Sequence, residues 1–134
     1  MNTYILIYLL LTHFVADFLF QNRNMGRKKG KNIYWLTTHI SIYTIVTILC
    51  WVVFFNLFEK SFYDLLILGL LIFSTHFITD FITSKISGYC YLKMLETKNN
   101  NHESSKWEWR FWSTIGFDQL IHSITLILTY NYLY

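Results

Sequence analysis

The sequence predicts an all-α integral membrane protein: a four-transmembrane-helix bundle with both termini outside and two basic cytoplasmic loops. Three observations predict it. The chain of 134 residues is 54% hydrophobic and 14% charged and has no proline, whereas a soluble domain is about a quarter charged. Its charged residues crowd into two segments. The apolar runs between them approach the roughly 20 residues that a helix needs to cross a bilayer. Strands are excluded as spans, because four of them cannot close the barrel that lipid demands. A chain this short forms one domain, here a single integral membrane domain over residues 1–134.

The first span runs from Thr3 to Gln21. It reads as a mature helix rather than a signal peptide, since no basic residue precedes it and Leu19-Phe20-Gln21-Asn22 is not a cleavage site. The second span runs from Ile33 to Phe58 and the third from Phe62 to Thr83, with helical pattern continuing toward Leu95. The fourth runs from Phe111 to Tyr132, and Trp107, Trp109 and Trp112 before it read as an interfacial belt. Lys98 to Lys106, with its run of asparagines, reads as a solvated loop, and His102 within it as a surface histidine. Cys50 and Cys90 fall near opposite ends of the spans and read as small packing residues, not a disulfide.

Lysine and arginine set the orientation. Arg23, Arg27, Lys28, Lys29 and Lys31 follow the first span, and Lys85, Lys93, Lys98, Lys106 and Arg110 follow the third. Of the 11 basic residues all but Lys60 therefore lie on one face, which the positive-inside rule makes cytoplasmic. The protein is expected to be multi-pass in the cell's inner (cytoplasmic) membrane, with the lipid bilayer as its partner. The net charge of +3 is explained by this topology, so no nucleic-acid partner is expected.

The chemistry lies in the ionisable residues inside the spans. They are His13 and Asp17, His39, His76 and Asp80, and Asp118 and His122; Asp64 sits at the outer interface. At 1.5 Å rise per residue, Asp17, His39 and Asp80 lie about 5–9 Å from a cytoplasmic helix end. His13, His76 and Asp118 lie about 11–12 Å in, and His122 about 17 Å. Helices of opposite direction thus deliver these groups to one slab. Three pairs are spaced i,i+4, which stacks both members on one helix face. Each aspartate facing lipid would cost on the order of 3 kcal/mol, so the faces must turn inward and be paired, protonated or metal-bound. Imidazole nitrogen and carboxylate oxygen suit Zn²⁺, with Mn²⁺ or Fe²⁺ as alternatives. The expected ligands of one or two ions are His13, Asp17, His39, His76, Asp80, Asp118 and His122. Gln21 and Gln119 stand behind them as orienting groups. A proton relay and a purely structural His–Asp network are the competing readings.

The motif His13-Phe-Val-Ala-Asp17-Phe18-Leu-Phe-Gln21 resembles the opening H-x-x-x-D-F-x-x-Q of small bacterial and phage membrane proteins classed as domain of unknown function 3307. Thr38-His39, His76-Phe-Ile-Thr-Asp80 and Asp118-Gln119-Leu-Ile-His122 resemble its later motifs in the same order. The pattern is also similar to that of membrane-bound metal-dependent hydrolases, which implies a metal centre by analogy. One departure concerns a lysine that the resemblance leads one to expect shortly after the third-helix aspartate. Thr83 stands three residues on, and Lys85 five.

The function expected is metal-dependent hydrolysis of a phosphoryl or acyl substrate at the cytoplasmic leaflet, with a carboxylate among Asp17, Asp80 and Asp118 as catalytic base. Arg23, Lys28 and Lys29 near the mouth would attract an anionic lipid or phosphorylated substrate, although topology alone explains them better. The alternatives are a proton or divalent-metal transporter or channel, and a non-enzymatic phage or bacterial membrane accessory protein. The apolar outer halves of the spans count against transport by a monomer, and a homo-oligomer would be needed to line a path.

Overall fold

A computed structural model describes residues 3–57 and 60–133. Among these the chain is mostly helical, with short turns between the helices, and has no strand. Helix α1 (Thr3–Phe14) runs into a π-helical turn (Val15–Leu19), and the short α2 (Arg23–Lys28) leads to α3 (Ile33–Phe54). Helices α4 (Phe62–Glu96) and α5 (Asn101–Leu133) complete the fold. α4 packs along α5 and against α3, while α1 packs on both α3 and α5.

Local chemistry sets the ends. Asn22 accepts from the Met25 N–H to start α2, and Asn32 accepts from the Tyr34 N–H to start α3. α3 stops before the expected Phe58, which lies outside the described residues. Its Phe55 N–H closes on the Trp51 carbonyl and Asn56 takes φ +52°, the left-handed exit that asparagine tolerates best after glycine. Ser61 and Asp64 form a reciprocal capping box at the start of α4, so Asp64 has a local structural partner.

Two helices, α3 and α4, are long and apolar enough to cross a membrane. α4 has 35 residues and α5 has 33, so each is about 50 Å long at 1.5 Å per residue. Most of the segment expected as a loop from Lys98 to Lys106 is the first turns of α5, because the two helices keep packing past the apolar stretch. Tyr89 meets Trp107 edge-on at 5.7 Å, Tyr91 meets Phe111 at 5.9 Å, and Cys90 is buried between them in sequence. Both cysteines are free.

The polarity of the molecule is inverted. α4 exposes Leu66, Ile67, Leu70, Ile78 and Ile82 and buries His76, Thr79, Asp80 and Thr83. α5 exposes Phe117, Leu120, Ile124 and Leu128 and buries Asp118, His122 and Thr129. An apolar core of Leu9, Tyr43, Trp51, Leu68, Ile72 and Leu126 fills the half of the molecule away from the basic segments. The buried histidines and aspartates lie between that core and the basic end.

Candidate metal centre

The site is assembled from four helices and one loop. In the first, the Phe20 N–H reaches the Val15 carbonyl at 3.3 Å, and this wide turn carries Asp17 inward, a frequent use of π-helical turns. α3 contributes His39, α4 contributes His76 and Asp80, and α5 contributes Asp118 and His122. All six, and His13, are buried, so each predicted pair does face the interior.

Two groups of three have one ligand atom each within 4.8 Å of one another: Asp17, His39 and His76, and His76, Asp80 and His122. The separations are short enough for one ion to sit among them. His39 Nε2 lies 3.0 Å from Asp17 Oδ1 and 3.4 Å from both Asp80 Oδ2 and His76 Nε2. His76 Nε2 is 3.8 Å from each of the same two carboxylate oxygens. A tetrahedral site with ligand bonds near 2.0–2.1 Å has edges of about 3.3 Å. Asp17 Oδ1 is buried and accepts no well-directed hydrogen bond despite its nearness to His39. His122 Nε2 lies 3.2 Å from Asp80 Oδ1 and 3.4 Å from Asp118 Oδ1.

The other predicted residues take supporting positions. His13 stands outside both groups, its Nδ1 3.0 Å from the Tyr43 hydroxyl and its Nε2 2.9 Å from Gln119 Oε1. The Gln119 amide donates to Asp17 Oδ2 at 2.9 Å and to Asp118 Oδ2 at 3.1 Å. Because those carboxylates take both amide protons, Gln119 Oε1 must accept from His13 Nε2–H, and Tyr43 donates to Nδ1. Asp118 also stands outside both groups and receives the Thr83 hydroxyl. Gln21 is half-buried beside a cavity, with its Oε1 unpartnered.

Two residues at the site were not expected there. Lys29 Nζ donates to Asp80 Oδ2 at 2.7 Å and lies 3.4 Å from His39 Nε2, with its side chain 14% exposed. Burial opposes its charge, but Asp80 and Asp17 outweigh that and hold its pKa above the ordinary lysine value. Sequence spacing places it with the mouth residues, since spacing does not show a loop folding back. A lysine therefore does reach the third-helix aspartate, from the opposite direction in the chain. Tyr43 is the other, stacked on His76 with ring centroids 3.8 Å apart. Its signal was legible, since it stands four residues after His39.

Charge completes the test of fit. Three carboxylates share this buried space with one lysine ammonium, and an excess of negative charge there would be offset by protonated histidines or by one divalent cation. The donor types, their separations and this charge balance all suit such a cation.

Apolar surface outside, with a His/Asp cluster at one level inside, defines a helical protein whose chemistry is enclosed by its own helices. The chain belongs to the family of proteins of unknown function designated DUF3307, matched over residues 5–134. No curated protein and no solved structure matches it.

Proposed function

We propose that the chain crosses the inner membrane four times and holds a divalent transition metal at the basic end of the bundle, where it hydrolyses a phosphoryl or acyl substrate. The spans are α1 with its π turn, α3, the apolar part of α4, and α5 from Phe111 onward. The inverted polarity supports insertion, since aliphatic faces of this extent on a soluble monomer would be an interaction or aggregation surface. The distribution of lysine and arginine supports a cytoplasmic site.

The observation that carries the metal reading is His76, shared by two buried groups of nitrogen and oxygen donors. Zn²⁺ suits them first, with Mn²⁺ or Fe²⁺ next. A bound divalent ion supplies Lewis acidity and a water that ionises near neutral pH. Around it, Asp17 and Asp80 serve as ligands and Lys29 balances charge on Asp80. Asp118 lines the cavity that opens on the site, which supports it as the carboxylate that takes a proton from an entering water. Gln119 orients Asp17 and Asp118 together. Transport fits less well, because the packed core from Leu9 to Leu126 closes the other side of the cluster.

Protein purified in mild detergent from metal-replete cells should carry near-stoichiometric transition metal by elemental analysis. His76→Ala should lose it while keeping its helical circular dichroism. Folded wild-type protein that holds no metal, even after Zn²⁺ is added and excess removed, would leave a structural hydrogen-bond network as the better reading.

A further inference from the structure

A cavity of about 940 Å³ opens between the π turn, the loop after α2, and the basic-end portions of α4 and α5. Its floor is the candidate site: Asp17, Lys29, Thr83, Asp118 and Gln119 all line it. Its rim carries Arg27, Lys31 and Lys85, and its walls carry Phe18, Leu92 and Phe111. The site's own Asp17 and Asp118 are the acidic residues that line it. Arg27 and Lys31 are exposed and make no ion pair among the described residues.

These features specify a ligand. Unpaired cations at the rim, with no acidic side chain beside them among the described lining residues other than those of the site, select an anion with several acceptor oxygens, which a phosphate provides. Aromatic and aliphatic walls add nothing to a bare phosphate ion, and a volume near the top of the roughly 300–1,000 Å³ range of ligand pockets is far larger than one needs. We propose that the cavity binds an amphiphile with a terminal phosphate, the phosphate held by Arg27 and Lys31 and the apolar chain lying along Phe18, Leu92 and Phe111. Gly88 lies in the same wall, and a Cβ there would meet nothing within 4 Å. A Cβ there has open space around it, so a larger side chain at this lining position is accommodated without colliding with the fold.

This assignment rests on the hydrolytic reading only for the ligand's fate, since binding requires the cavity alone. The test is calorimetric titration of the detergent-purified protein with three probes. They are dihexanoyl phosphatidic acid, dihexanoyl phosphatidylcholine and inorganic phosphate. Phosphatidic acid should bind tightest, with the choline lipid and inorganic phosphate each weaker by about tenfold or more. Taking each cation as about a factor of five, Arg27→Gln with Lys31→Gln should weaken phosphatidic acid about 25-fold. Gly88→Leu should abolish its binding. Elemental analysis of the same samples should show metal content unchanged in both variants. Inorganic phosphate binding as tightly as the lipid would mean a free-anion site and overturn the proposal. So would equal binding of the two lipids, or full affinity in Gly88→Leu. Metal-free protein that still binds phosphatidic acid would sink the metal reading and leave this one standing.

Discussion

Lys29 and Asp80 are 51 positions apart in the chain and 2.7 Å apart in space, the shortest ion pair at the site. Removing one partner of a buried pair leaves an uncompensated charge, which costs about 3–5 kcal/mol. Lys29→Met should therefore destabilise metal-free protein by roughly 3 kcal/mol in denaturant titrations with chelator present. Added Zn²⁺ should restore more stability to the variant than to the wild type, because a divalent ion replaces the missing ammonium beside Asp80. Equal Zn²⁺ responses would argue that Lys29 and the metal do not share that position. His13 gives the complementary case. Both its nitrogens are engaged by Tyr43 and Gln119, so His13→Gln should lower metal affinity modestly, by loosening Asp17 through Gln119. His76→Ala should eliminate binding, and competition with a chromogenic chelator ranks the two. At this scale the inward facing of the seven residues was legible, because a charged or polar group on an otherwise apolar helix face is stabilised by turning toward polar partners. Which of them face one another was not, since i,i+4 spacing gives a shared helix face but no partner.

At the scale of the element, the loop after α2 owes its position to Gly30. A Cβ at Gly30 would lie 2.6 Å from the Ser84 carbonyl oxygen, so only glycine lets the loop approach α4 closely enough for Lys29 to reach Asp80. Gly30→Ala should push the loop outward and lower the melting temperature. Gly116→Ala, where a Cβ meets nothing within 4 Å in mid-helix α5, should raise stability by up to about 1 kcal/mol through helix propensity. Thermal melts in one detergent compare the two, and the same sign for both would contradict the contact. Helix positions followed from the apolar runs and the absence of proline. The π turn at Val15–Leu19 and the helical start of α5 did not. The first is a choice of hydrogen-bond register invisible to residue type. The second depends on α4 running alongside, with Trp107 against Tyr89, so that a polar segment is held in helix by its neighbour.

Across the whole molecule, the orientation is a matter of sidedness that labelling can read. In a background with Cys50 and Cys90 replaced, a cysteine at Tyr63, which is 74% exposed, should react with a membrane-impermeant maleimide in intact spheroplasts. A cysteine at Lys98 should react only after the membrane is opened. The reverse pattern would place the His/Asp cluster on the outer side and remove the case for a cytoplasmic substrate. The 35 residues of α4 also exceed the roughly 20 that span a bilayer. The paired ends of α4 and α5 are therefore expected to stand clear of the lipid on the basic side, carrying one wall of the large cavity with them.

By itself the sequence determined that the chain is helical and that the seven His and Asp residues of the three i,i+4 pairs and His39 turn inward. Each follows from one-dimensional information: apolar length, charge placement, and the cost of a carboxylate in hydrocarbon. The tertiary structure alone decided which atoms converge. It set His76 between two donor groups, moved His13 and Asp118 to supporting positions, and brought Lys29 in from a loop. It also opened a cavity from the site to the basic end. These are consequences of helix rotation, a change of hydrogen-bond register and one close backbone approach, none of which spacing along a single chain encodes.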